Sequence, residues 1–280
     1  TIYDKKQILK NKIILYCKTY RNDIDRAVNL INSVNQYNTD NIPFYISVPK
    51  SDIRLFEQRN FSNVKFITDE WINGNDELYN RGISPRLLAF STRLNIWMSK
   101  LAENYICLDA DAFFIRPFSV ADFMYDETTP YTVIHEQKEL FSWSSCNLDK
   151  LTYNPKSRFK RNRAVIMDIF GRFGKQYDFG PNPIVMNSNV LRDFNEKYLT
   201  PNNITTEDII QVSSDEYTWY GESLLAFNSI KLMPCEPLFK VFHYADQYIQ
   251  YKQLGITKEM ISDNYMGVIM QSNFNGPIEY

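Results

Sequence analysis

Ten residues constrain this chain more than any others: Tyr105–Phe114, YICLDADAFF. An apolar, strand-like run ends in Asp109-Ala110-Asp111, and a second apolar run follows before Arg116-Pro117. In a strand, positions i and i+2 share a face. Asp109 and Asp111 are therefore expected to present two carboxylates together, at a strand end, within apolar sequence. Two like charges in such a place are unfavourable unless a cation or hydrogen-bond donors satisfy them. A divalent metal carrying a phosphate-bearing ligand answers that need.

The sequence before this run alternates short apolar segments with helical spacing. Lys12–Cys17 (KIILYC) reads as a first strand, ending in the polar cluster Lys18–Asp23. Asp25–Val34 places Ala27, Leu30, Ile31 and Val34 on one helical face. Ile42–Val48 and Val64–Ile67 read as strands, with a helix capped by Ser51-Asp52 between them. Ser84-Pro85 opens a helix expected to reach about Ala102. The order β-α-β-α-β-α-β predicts an α/β fold with a mainly parallel sheet covered by helices. Such sheets bind ligands at the carboxyl ends of their strands, where Asp109 and the polar cluster after the first strand both fall.

The second half is less regular. Thr132–His135, Asn182–Asn187 and Leu238–Phe242 are strand-like, and Val190–Tyr198 and Tyr217–Phe227 are helical. Phe141–Gln176 is basic, aromatic and poorly periodic, and is expected to be a flexible or substrate-covering loop. The polar clusters Asn187–Asn189 and Gln271–Asn273 are expected as turns or caps, the alternative being hydrogen bonds to sugar hydroxyls. No stretch rich in Pro, Gly or Ser divides the 280 residues, so one compact unit with two halves is expected, 1–125 and 126–280.

Composition removes several function classes. A formal charge of −2 gives no reason to expect nucleic-acid binding. Two histidines exclude a His-rich metal centre. Cys17, Cys107, Cys146 and Cys235 show no zinc-type spacing; Cys17 and Cys107, in strand-like runs, read as buried free thiols, and a reducing, cytoplasmic setting is expected. No apolar run is long enough to span a bilayer, and Thr1–Lys12 is polar, without a signal-peptide core.

The Asp-Ala-Asp run, its apolar flanks and the following proline resemble the Asp-x-Asp strand of GT-A-fold nucleotide-sugar glycosyltransferases. The first strand, the run Ser47–Asp52, the helix before Asp109 and the block Tyr217–Glu222 match that layout. The chain looks like a small bacterial or algal-virus glycan-building glycosyltransferase. The resemblance implies a Rossmann-like GT-A domain over 1–280, with the nucleotide sugar held by 1–125 and the acceptor by 126–280. It implies Mn²⁺ or Mg²⁺ on Asp109 and Asp111, with His243 as third ligand. Thr19, Tyr20, Arg21 and Arg86 would contact the donor, Tyr20 stacking on the base and Arg21 meeting phosphate.

For an inverting enzyme, the acid pair Asp215-Glu216 would supply the general base, Glu216 ahead of Asp215. Trp219, Tyr220 and Glu222 would face the acceptor. The resemblance points to a UDP-sugar donor, with UDP-xylose first, and to a glycan acceptor, with fucose as one constituent. A retaining galactosyl- or glucosyltransferase is the alternative, and a non-catalytic glycan-binding module is the alternative from another class. Nucleotidyl transfer also uses paired aspartates, but no Gly-Ser element precedes Asp109.

Overall fold

The computed structural model describes residues 11–274 and 276–280. The polar start, residues 1–10, lies outside the described residues. Strands β1 (Asn11–Lys18), β2 (Phe44–Val48), β3 (Val64–Thr68), β4 (Ala102–Leu108) and β7 (Ile184–Asn187) form one sheet in the order β3-β2-β1-β4-β7. Its first four strands are parallel, and β7 runs antiparallel to β4. Strands β5 (Ala112–Phe114), β10 (Gly267–Met270) and β9 (Phe239–Phe242) form a second sheet, and β6 (Thr132–Val133) pairs with β8 (Pro234–Cys235).

Central strand β1 shows why the sheet is covered on both sides. Ile13, Leu15 and Cys17 enter a core shared with Ala27, Leu30, Ile31 and Val34 of helix α1 (Ile24–Tyr37). Ile14 and Tyr16, pointing the other way, enter a second core with Leu94, Phe194 and Trp219. A strand buried on both faces needs an unbroken apolar run, as KIILYC supplies. Burial of each Leu or Ile contributes roughly 1.5–3 kcal/mol.

Helix α4 (Pro85–Leu94) begins where the sequence indicates: the Ser84 side chain accepts from the Leu87 N–H, and Pro85 occupies the first turn. It is shorter than expected. A 3₁₀ turn at Ile96–Ser99 and a left-handed Lys100 (φ 55°) end it before β4. Short helices α2 (Ile53–Glu57) and α3 (Asp69–Asn73) flank β3.

The basic segment is a correction. Phe141–Gln176 is mostly helical, in α5 (Lys138–Ser145) and α6 (Pro155–Ile169). Its helical pattern is weak because the side chains packed inward include the charged Arg163 beside Ile166 and Met167. The later helices are α7 (Ser188–Phe194), α8 (Thr206–Val212), α9 (Glu216–Phe227), α10 (Ala245–Gln253) and α11 (Lys258–Ser262). Asn187 caps α7 by accepting from the Asn189 N–H. Among the described residues there is no disulfide, and no helix is long and apolar enough to cross a membrane.

Candidate active site

Asp109 and Asp111 do not lie within a strand. Strand β4 stops at Leu108 and β5 starts at Ala112, and the Ala112 N–H donates to the Asp109 carbonyl across a tight turn. The turn carries the chain from the large sheet into the second sheet, so the carboxylates sit at the junction of the two. The expected strand alternation is therefore replaced by turn geometry, with both acids still at the carboxyl end of β4.

Each acid has its own surroundings. The Asp109 carboxylate is held by the Arg93 guanidinium and by Asn182 Nδ2 at 2.7 Å, and its backbone N–H donates to Asn182 Oδ1. Its side chain is 30% exposed. Asp111 Oδ2 accepts from the Ser272 N–H at 3.0 Å, whereas Oδ1 is buried without a hydrogen-bond partner. Burial, then the neighbouring Asp109, pushes the Asp111 carboxyl up to about 7. A buried carboxylate oxygen without a donor is costly, and a cation at that oxygen would remove the cost.

Arg93 sits in the last turn of α4, buried, and reaches two acids. One nitrogen contacts Asp109 and the other lies 2.5 Å from Glu216 Oε1. Glu216, the first residue of α9, is 4% exposed. Burial pushes its carboxyl up to about 7; Arg93 opposes that shift, while Asp109 and Asp215 add to it. The structure thus links the Asp-Ala-Asp turn to the acid pair through one side chain that the sequence reading passed over. A signal was present: an arginine beside Leu94, on the buried side of an amphipathic helix, needs carboxylate partners.

Asp215 takes a different role. It caps α9, accepting from the Thr218 N–H at 3.1 Å, and pairs with Arg163 of α6 at 3.1 Å. Arg163 also binds Asp178 at 2.8 Å. The Asp178 carboxyl would be raised by burial, but Arg163 and His135 hold it below its usual range. His135 Nε2 lies 2.6 Å from the Gly180 carbonyl and so donates to it, leaving Nδ1 to accept from the Gln137 N–H. Next to this centre, Phe179 packs onto Gly221 of α9 so closely that a Cβ there would lie 2.1 Å from the ring. That contact seats the Asp178–Asn182 segment which delivers Asn182 to Asp109.

Of the residues expected to contact a donor, Thr19, Tyr20 and Arg21 follow the end of β1. The register pairs Cys17 with Leu108, so Lys18 and Thr19 neighbour Asp109. Thr19 is buried with its Oγ1 unpartnered, and Tyr20 is 40% exposed. Lys18 pairs with buried Asp69 at 3.0 Å. Arg21 is committed elsewhere: its Nε and Nη2 both contact Asp52 Oδ1, and its backbone N–H donates to Oδ2. Asp52 therefore ties the ends of β1 and β2 together instead of capping α2 with its side chain. Arg86 is exposed and lies over the Phe90 ring, two turns from Arg93.

Three expectations are corrected. Trp219 and Tyr220 are buried, Trp219 among Phe170, Phe194 and Tyr198, and Tyr220 with its hydroxyl accepting from the Asn187 N–H. Neither ring has a face for a sugar. Glu222 is buried in a two-pronged pair with Arg172, both contacts 2.6 Å. All three belong to the core because α9 packs in the interior and is buried on most of its sides, its charged Glu222 tolerated there through Arg172.

His243 stands at the same end of the second sheet as Asp111. Met270 pairs with Phe242, and the Met270 N–H donates to the Asp111 carbonyl, so β10 lies between them and their backbones are two strand spacings, roughly 10 Å, apart. Burial holds the imidazole down to about 4; Asp178 opposes that shift, while Lys240 and His135 add to it. Among the described residues no three His, Cys, Asp or Glu side chains converge as a metal site, so the expected trio with His243 is not assembled. Asp111 Oδ1 is the oxygen that fits a cation. Beside this edge opens a cleft of about 500 Å³, lined by His135, Tyr177, Pro181, Phe239, His243 and Tyr265 among others.

No protein-family model matches the chain, and no curated protein matches it by sequence. Solved structures do. The apo structure of WbbM, a bifunctional glycosyltransferase, matches over 95% of this chain with TM-score 0.51 and 11% identity. This chain spans 47% of that protein's length. The apo form of mouse xyloside xylosyltransferase 1 matches over 95% of this chain and 99% of its own, with TM-score 0.47 and 7% identity. At such identity the likeness to WbbM concerns the fold alone: a mixed α/β domain whose mainly parallel central sheet is flanked by helices, similar to that of a solved glycosyltransferase.

Proposed function

We propose that this protein is a metal-dependent glycosyltransferase that moves a sugar from a UDP-sugar donor to a glycan acceptor. The observation that carries the reading is the unpartnered Asp111 Oδ1, buried beside Asp109 at the carboxyl end of a mainly parallel sheet. Asp111 would hold Mn²⁺ or Mg²⁺ through that oxygen. The bound ion supplies positive charge to the departing nucleoside diphosphate. Asp109, fixed by Arg93 and Asn182, presents its exposed side to the donor. Thr19 and Tyr20 flank the base and ribose, and the Asp52-bound Arg21 holds their loop. The halves 1–125 and 126–280 would then serve donor and acceptor. The free thiols fit a reducing, cytoplasmic setting.

In the inverting form of the reaction, Glu216 Oε2, the oxygen not bonded to Arg93, takes the proton of the acceptor hydroxyl. Its raised pKa, about 7, suits a general base. One observation favours a retaining course instead: Glu216 is nearly closed to solvent and Arg93 stands between it and Asp109. A retaining reaction on the donor's own face has no need of that base. The anomeric configuration of the product separates the two.

The decisive test is hydrolysis and transfer with a panel of UDP- and GDP-sugars, with Mn²⁺ and with EDTA. The resemblance makes UDP-xylose the first donor to try and fucose-containing glycans the first acceptors. Asp111→Asn is expected to lower turnover by about 10³ while glycan binding persists. Turnover indifferent to EDTA and to Asp111→Asn would sink the proposal.

A further inference from the structure

The basic segment finds no use in the reaction outlined above, yet its fold is specific. Helices α5 and α6 and residues 174–176 enclose a second cleft of about 680 Å³. Its lining includes Lys138, Lys156, Lys160 and Lys175 around Phe141 and Phe159, whose rings meet edge to face at 5.0 Å. Glu136 and Lys138 line both this cleft and the one beside His243, so the two adjoin.

The charges along this double cleft are segregated. The first part carries Glu136, Glu139 and Glu236 against one lysine, Lys138, and Glu139 is held by the buried Lys240. The second carries four lysines against one acid, Glu136, which lies 2.5 Å from Lys175 and 3.8 Å from Lys138. Among the described residues Lys156 and Lys160 have no acidic partner within 4.0 Å. They stand four residues apart on α6, where like charges repel. Lys156 and Arg158 also occupy the first turn of α6, which has no acid, although a helix N-terminus favours negative charge. The segment thus gives up helix stability at two points, and an anion lying in the cleft would reverse both penalties.

We infer that the second cleft binds an anionic group, phosphate or carboxylate, carried by the acceptor glycan whose neutral end enters the first cleft. The inference rests on the glycosyltransferase reading for the word acceptor. The donor diphosphate is not the occupant, because neither Asp109 nor Asp111 nor any residue of the β1 edge lines the lysine cleft. The half-buried Tyr177 and Tyr265 of the first cleft offer flat faces to a sugar ring. The four ammonium groups then select the charge beyond it.

The test is binding of the full chain to an array of matched oligosaccharides in neutral, uronate-bearing and phosphorylated forms. The variants are Lys156→Ala/Lys160→Ala and, as a control elsewhere, Lys197→Ala. Charged glycans are expected to bind about tenfold more tightly than their neutral counterparts. The double variant should lose that advantage, the control should keep it, and about 0.5 M salt should erase it. The uronate and phosphate arms identify which anion is preferred. Equal binding of neutral and charged forms, or an undiminished preference in the double variant, overturns the inference. UDP-sugar hydrolysis is measured on the same proteins and should be unchanged by the double substitution. Its absence from the unsubstituted protein would count against the enzyme reading, whereas the array result bears on the cleft.

Discussion

Two buried arginines anchor the same helix start, and they differ in what they leave unfinished. Arg163 joins Asp178 to Asp215, and Arg93 joins Asp109 to Glu216. Around Arg163 the acids are well supplied: Asp178 receives Gln137 Nε2 and the Gly180 N–H as well, and Asp215 caps α9. The Asp178 carboxyl is accordingly held low. At the Arg93 centre Glu216 has only that guanidinium as a side-chain donor among the described residues and is pushed up to about 7, and neighbouring Asp111 keeps an oxygen unpaired. The same residue type at comparable burial is a structural clamp in one place and part of an incomplete site in the other. Incompleteness in a folded interior marks where a ligand is expected.

The largest contrast lies in truncating the arginines. Arg163→Met strands two carboxylates in a satisfied interior and is expected to destabilise the protein by about 3–5 kcal/mol. Arg93→Met is expected to cost less, because Asp109 reaches solvent and Glu216 can take up a proton. Its activity should nevertheless fall with the loss of the contact to Asp109. Urea unfolding beside turnover measures both, and equal stability losses would remove the distinction between the centres.

A smaller effect is expected from pH, with opposite signs at the two centres. Asp178 has a depressed pKa, so its contribution is present above its unfolded value and is lost as pH falls through the folded one. Glu216 and Asp111 have raised pKa values, so their contribution is complete below the unfolded values and is lost as pH rises through about 7. Melting temperature is therefore expected to decline between about pH 4 and 7, and Glu216→Gln should flatten part of that decline. A melting temperature that climbs across this window would contradict the assignment.

The smallest effect concerns the other arginine of α4. Arg86→Ala, at an exposed position, should shift stability by no more than about 0.5 kcal/mol. A raised KM for the UDP-sugar with unchanged kcat would place Arg86 at the donor. Unchanged kinetics would leave Arg93 as the arginine of α4 that serves the site.

The sequence alone was sufficient for whatever depends on short range and periodicity. Apolar runs at Lys12–Cys17 and Tyr105–Leu108 made buried strands, spacing at Ala27–Val34 made α1, and Ser84-Pro85 made the start of α4. The anomaly of two acids between apolar runs was visible for the same reason. Asp109 and Asp111 need no distant partner to look out of place. Tertiary structure decided the rest. Trp219, Tyr220 and Glu222 have the composition of a sugar platform, and only the packing of α9 in the interior revealed them as core. Arg93 and Glu216 lie 123 positions apart, Asp109 and Asn182 73 apart. Partnerships over such separations leave no local pattern, because a side chain's charge states that it needs a partner but not which part of the fold will bring one.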